Sequence, residues 1–452
     1  MTTDPPLTST PASANAASAA GNAASATPRP RAVLLIANPA NPYSRGLRVA
    51  RSLAAAGYDV EIAGTTGEQA PPEERDGDIV IRRYRPSGRW AAHATEMTGG
   101  GTGAGPRRRR LGPLSGWIQR AVKAFAWPVH VRGWWTTLRR DLPPADLYHA
   151  FGILAIPVAL DLAAAARRAG RQGRVVYDVI DVILESNNYD RAPRPLLAWY
   201  RRRERRWVRR SDAVVTVNQP IADHLAATWP LRAPPTVLLN CQPRWTPPAP
   251  RLDHIRHATG IPPERKVVLF LGRLGRERGL EQAADAVVRL EDAALVMLGF
   301  GPWADRLRER DRDPMFVGHH FTLPPVHPDD VPAWTASADV SIIAVPANSL
   351  NQRLSSPNKF WESLTAGTPV VVGRDLVVMR SIVEADGLGA IADPADPDDL
   401  ARGLRDVLEQ GDESLAAMRV RCLAVTRATY NWEVAVQPYL ALVADLTGLG
   451  GR

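Results

Sequence analysis

Strand-sized apolar runs separated by stretches with helical spacing recur along most of the chain, and this alternation constrains the fold more than any other feature. Arg31 opens the series. Ala32-Val-Leu-Leu-Ile-Ala-Asn38 is a buried-strand run, and Leu47, Val49, Ala50, Leu53 and Ala54 then fall at roughly helical spacing. Gly57 supplies a C-terminal cap and Asp59–Gly64 the next strand, so the first unit is βαβ. Further strands are predicted at 78–84, 145–151, 174–180, 213–217 and 236–240. A Pro-rich linker at 243–265 interrupts the pattern, which resumes with strands at 266–272, 294–299, 314–318, 339–345, 369–373 and 388–393. Strands alternating with helices build parallel, doubly wound sheets. The chain therefore reads as two tandem Rossmann-like α/β domains, 31–242 and 266–428, followed by a closing helical segment at 429–452. Two such domains leave a cleft at the carboxyl ends of both sheets, where ligands of open α/β sheets bind.

The length of 452 residues fits two domains, and 45% apolar with 23% charged residues is a globular composition. No apolar stretch approaches the roughly 20 residues of a membrane-spanning helix. Two cysteines, Cys241 and Cys422, exclude a disulfide framework and lack metal-ligand spacing, which fits a reducing, cytoplasmic setting. Residues 1–30, mostly Ala, Ser, Thr, Pro and Asn, are expected to be a disordered tail without the basic start and apolar core of a secretion signal.

Positive charge is concentrated. The net charge is +9, and an insertion at 86–140 holds nine Lys/Arg between Arg107 and Arg140 with no Asp or Glu. Within it, Leu114, Trp117, Ile118, Ala121, Val122 and Phe125 fit an amphipathic helix, suited either to an anionic membrane or to packing on the first domain. A second run, Arg201–Arg210, has seven arginines and one Glu, and extends that surface or is simply a solvated helix face. No nucleic-acid recognition module accompanies either run.

The second half carries the chemistry. Gly272-Arg273-Leu274-Gly275-Arg276-Glu277-Arg278-Gly279 follows a strand and opens a helix, so Arg273 and Arg278 can pair with phosphate oxygens beside an open helix N-terminus. Gly299-Phe300-Gly301-Pro302 makes a second close-approach turn at the same sheet edge. Ser356-Pro357-Asn358-Lys359 reads as an N-cap with Pro at the first helical position, a second anion site, and Lys359 and Glu362 share one face of that helix. Glu362 is expected to be ionised, accepting hydrogen bonds from a pair of vicinal hydroxyls. Asp76-Gly77-Asp78 precedes a strand on the wrong sheet edge for a metal and is read as a turn.

In order and spacing these motifs, with Pro357-Asn-Lys-x-x-Glu362-x-x-x-Ala366-Gly367-x-Pro369-Val370 and Tyr430-Asn-Trp-Glu433, resemble the family 4 glycosyltransferases. The resemblance implies the GT-B fold, with the last helix crossing back onto the first domain, and sugar transfer with retention from a UDP- or GDP-type nucleotide sugar. It implies neither cofactor nor metal. Gly272, Arg273, Arg278, Gly299, Gly301, Pro302, Asn358, Lys359 and Glu362 match the donor side, with Glu362 at the ribose. The partner glutamate eight residues earlier is replaced by Leu354, so Asn351 or Gln352 are candidates for reading the donor sugar. His149 and Asp181 match strand-end acid/base positions facing the cleft, and Asn41 and Arg45 stand in the acceptor-side loop. The implied acceptor is a glycan, a lipid-linked molecule or a small molecule; peripheral contact with an anionic membrane is the alternative the basic insertion leaves open beside plain packing, and no nucleic acid is expected. An epimerase acting on the nucleotide sugar, or a silent binding scaffold, would use the same fold.

Overall fold

The structure is a computed structural model; it describes residues 29–449 except 41–42, 68–69, 88–130, 188, 190–191 and 277. Most of the basic insertion, with its amphipathic segment at 114–125, and most of the N-terminal tail thus lie outside the described residues.

The first sheet has eight strands in the order β3 (Glu73–Asp76), β4 (Ile79–Tyr84), β2 (Asp59–Thr65), β1 (Arg31–Ile36), β5 (Leu147–Phe151), β6 (Arg174–Val179), β7 (Ala213–Thr216), β8 (Thr236–Val237), all parallel except β3 against β4. Its centre is β1 (Arg31–Ile36), flanked by β2 (Asp59–Thr65) and β5 (Leu147–Phe151), with β6 (Arg174–Val179) beside β5. Their near-continuous apolar runs follow from burial on both faces. The second sheet has six parallel strands in the order β11 (His320–Leu323), β10 (Ala293–Phe300), β9 (Lys266–Arg273), β12 (Val340–Ile343), β13 (Val370–Gly373), β14 (Gly389–Ala392). In both sheets the strand order reverses at one place, between β1 and β5 and between β9 and β12. That reversal opens a crevice at the carboxyl ends of the strands.

Three local expectations are corrected. The strand predicted at 314–318 is a turn, because Asp313 accepts Phe316 N and Val317 N at 2.8 and 2.9 Å; β11 lies at His320–Leu323. The edge strand β3 (Glu73–Asp76) is an addition, joined to β4 (Ile79–Tyr84) through the Asp76–Asp78 turn. The helix expected to begin at Pro357 runs Asn358–Thr365, with Pro357 at the N-cap and no side-chain cap.

The chain ends by crossing back. Asn431 caps a short helix, Trp432–Ala435, by accepting Val434 N at 3.0 Å, and Gln437–Thr447 follows. Trp432, Tyr439 and Val443 bury in one cluster with Leu34, Val49 and Val60 of the first domain. Among the described residues no helix is long and apolar enough to cross a membrane.

Candidate functional site

The loop after β9 is shaped by glycines that backbone contact demands. A Cβ on Gly299 would stand 1.8 Å from Gly272 O, and one on Gly279 (φ +67°) 1.8 Å from Ala344 O. Gly301 meets Leu274 O in the same way at 2.1 Å. These residues let the ends of β9, β10 and β12 close on one another, and Leu274 N donates to Phe300 O at 2.7 Å to lock the pair of loops. Pro302 packs over Gly275 at ordinary van der Waals distance. Arg273, the last residue of β9, is left exposed at this edge, and Arg278 is half-buried beside Gly279.

Lys359 lies at the second position of the helix Asn358–Thr365. Its Nζ is buried without a hydrogen-bond partner among the described residues, 3.9 Å above the Phe270 ring. Burial, then the positive charge of Arg278, lowers its pKa to about 7, against an opposing pull from Glu362. Glu362 is likewise pushed up to about 7 by burial, though Arg48 and Lys359 pull it down. Against the expectation of a readily ionised carboxylate, enclosure outweighs the pull of its basic neighbours. Arg48 reaches Gln242 Oε1 at 2.8 Å and Asn240 Oδ1 at 2.7 Å, and Gln242 Nε2 lies 3.5 Å from Glu362 Oε1.

Asp181 sits two residues beyond the end of β6, exposed to the cleft yet closely surrounded by protein. Crowding raises its pKa; Asn351, donating through Nδ2 at 3.1 Å, and the charge of Arg278 both lower it. Asp181 from the first domain and Arg278 from the second thus act on each other across the cleft. Asn351 also accepts Val182 N at 2.7 Å, and Asn187 Nδ2 donates to Gln352 Oε1 at 3.1 Å. Both candidate sugar readers are accordingly engaged in contacts between the domains. Leu354 packs against the first-domain core and its carbonyl accepts Asn218 Nδ2 at 2.8 Å. Asn358 bridges the domains too, donating to Ser44 Oγ at 3.3 Å and accepting from Asn240 at 2.6 Å.

Two residues expected in the cleft are instead inside the first domain. His149 is fully buried: Nε2 lies 3.1 Å from Asp178 Oδ2 and Nδ1 2.8 Å from Tyr439 Oη. Burial lowers its pKa, against the pull of Asp178. Arg45 forms a bidentate pair with Asp178, Nε to Oδ2 at 2.9 Å and Nη2 to Oδ1 at 3.1 Å, and gives its third bond to Leu238 O at 3.0 Å. A charge buried this deeply must be paired, and Asp178 pairs both side chains inside the first domain. Asn41 lies outside the described residues. Asp178, Arg48, Gln242 and Tyr439 were not singled out in the sequence. Only Asp178 had a local signal, as an acid inside an otherwise apolar strand.

Arg278 and Glu362 act on Lys359 at the uncapped start of the helix Asn358–Thr365, Asp181 acts on Arg278 from the first domain, and Arg273 stands exposed at the end of β9. This arrangement can take a doubly charged anion and hold hydroxyls beside it.

Residues 253–421 match the family model described as glycosyl transferases group 1. The chain is similar to D-inositol 3-phosphate glycosyltransferase of Mycobacterium marinum, 28% identical over 195 residues, 41% of this chain and 40% of that protein. It is also similar to the GDP-mannose-dependent alpha-(1-6)-phosphatidylinositol monomannoside mannosyltransferase of Mycobacterium tuberculosis, 27% identical over 190 residues, 40% of this chain and 46% of that one. The chain thus spans less than half the length of these curated relatives. Among solved structures, sucrose-phosphate synthase from Thermosynechococcus elongatus superposes with a TM-score of 0.65 at 16% identity, over 93% of this chain and 100% of that one. The second domain thus matches the group 1 glycosyltransferase model over residues 253–421, and the chain as a whole has the two-sheet GT-B fold.

Proposed function

We propose that the protein transfers a hexose, with retention, from a UDP- or GDP-type nucleotide sugar to an acceptor held by the first domain. The acceptor is a glycan, a small molecule or a lipid-linked molecule reached from the cytoplasmic face of a membrane. The observation that carries this reading is the buried ammonium of Lys359, without a hydrogen-bond partner among the described residues, within reach of the charge of Arg278 at an uncapped helix start. Such a group calls for an anion, and a diphosphate supplies the charge. On this reading Arg273, Arg278 and the helix N–H groups neutralise the departing diphosphate, which is where charge develops during transfer. Glu362 takes the ribose hydroxyls, and Asp181 stands at the acceptor side. The names of the relatives, one of them GDP-mannose-dependent, support the donor class.

A thermal-shift screen against UDP-, GDP- and dTDP-sugars tests the reading, since a specific ligand stabilises the folded state by RT ln(1 + [L]/Kd). Arg273→Ala and Arg278→Ala should each lower turnover by orders of magnitude with the melting temperature nearly unchanged. Wild-type turnover in both variants would overturn the assignment.

A further inference from the structure

The helix Arg194–Arg210 carries eight arginines and one acid. Its buried side is Leu196, Tyr200, Glu204 and Val208, repeating every four residues. Glu204 is turned inward to accept the Tyr177 hydroxyl at 2.7 Å, so the helix's single carboxylate does nothing for the outer face. All eight arginines are exposed, and among the described residues their one ion-pair partner is Glu185, 3.9 Å from Arg201. Arg202, Arg205, Arg206 and Arg209 fall at i, i+3, i+4 and i+7, a single stripe about 10 Å long at ~1.5 Å rise per residue. Trp199, 46% exposed, borders the stripe with the Arg203 guanidinium 4.6 Å over its ring.

A solvated face needs only scattered charge of both signs. An unbroken stripe of one sign repels itself and is stable at moderate salt only while counter-ions or an anionic partner attend it. The position of the helix indicates which partner. Its amino end, with Arg194, Leu197, Ala198 and Arg201, joins Leu184 of the first domain and Ser349 and Leu350 of the second around a cavity of about 580 Å³ at the mouth of the cleft. Its walls are mostly apolar, with Arg194 and Arg201 on the helix side and Glu185 beside Arg201. An exposed Trp beside arginines also suits the boundary between headgroups and acyl chains.

We infer that the outer face of Arg194–Arg210 docks on an anionic phospholipid bilayer and sets the cleft mouth against it. The inference deepens the lipid-linked acceptor named above and rests on that part of the reading. Binding to vesicles is measured without turnover, however, so the two fail separately.

The test is co-sedimentation of the whole protein with vesicles of phosphatidylcholine alone or with 30% phosphatidylglycerol (~30%, an anionic fraction chosen for the assay). The wild type should bind only the anionic vesicles, and binding should weaken as salt rises. Replacing Arg202, Arg205, Arg206 and Arg209 together by Gln should lower binding about a thousandfold, from about 1 kcal/mol per arginine near an anionic surface. Replacing the same four by Lys should retain it, which separates lost charge from a damaged helix. Turnover with a soluble acceptor should be the same in all three proteins. Equal binding by the Gln variant, no binding by the wild type, or tighter binding to RNA than to the vesicles at equal salt would each overturn the inference.

Discussion

Replacing Lys359 by Met should make the empty protein more stable and its ligand binding weaker. The ammonium lies over the Phe270 ring without a hydrogen-bond partner among the described residues, and its pKa falls from 10.5 to about 7. At ~1.36 kcal/mol per unit, such a fall sets a ceiling of about 5 kcal/mol on the penalty for keeping that group charged. Water entering the cleft relieves much of it, so an apolar side chain of similar length should recover about 1–2 kcal/mol. An unfolded lysine holds its proton up to 10.5, whereas folded Lys359 releases it near 7. Between those values the unfolded chain binds more protons, so this group makes wild-type stability rise with pH. The advantage of Lys359→Met is therefore full below about pH 7 and fades toward 10.5. At pH 6 (~1 unit below that midpoint) it should appear as a melting temperature about 2–8 °C higher. Affinity for UDP or GDP should move the other way, by about ten- to a hundredfold, for the loss of a charged donor to phosphate. Scanning fluorimetry across pH reads the first effect and titration calorimetry the second. A variant that melts lower than wild type under acid conditions and binds the nucleotide as before would refute the argument.

Tyr439→Phe leaves Nδ1 of buried His149 without its partner and should lower stability by about 1–3 kcal/mol, read by urea unfolding, with the pH dependence of turnover unchanged. Gly279→Ala forces a Cβ against Ala344 O at a positive φ, so calorimetry should show nucleotide affinity collapsing while the first domain's near-UV spectrum is retained. Asn351→Ala removes the hydrogen bond that lowers the Asp181 pKa, so that pKa should rise further. If Asp181 works as a carboxylate, the acid limb of the kcat/KM profile should move to higher pH. An unmoved limb would take Asp181 out of the chemistry.

The two sheets were legible because strands buried on both faces leave near-continuous apolar runs, as in β1 and β10. β3 was not, since Glu-Glu-Arg-Asp on an edge has neither alternation nor burial to betray it. The β11 position was misread because Met315 and Val317 are apolar yet exposed, in a turn started by Asp313-Pro314. Around the site, spacing along one helix was enough to set Lys359 and Glu362 together. It could not give their pKa values, which depend on enclosure by residues as distant as Phe270 and Arg48. His149 and Arg45 were misplaced for a related reason. A strand-end histidine and a loop arginine look like cleft groups until Asp178 and Tyr439 claim them, and Tyr439 is 290 residues from His149.

The crossing helix has a consequence for how the molecule is made. The cluster around Leu34 and Val60, and the Nδ1 partner of His149, are complete only when residues 432–447 arrive. A ribosome completes the first sheet near Val237 and must then add some two hundred residues before that happens. At ~5–20 residues per second this is a delay of about 10–40 s. Through it the first domain waits without Trp432, Tyr439 and Val443 in its apolar cluster and with Nδ1 of His149 still lacking the Tyr439 hydroxyl. The nascent chain should therefore be a chaperone client through that interval, and the first domain should gain protease resistance only after residues 432–447 have left the exit tunnel.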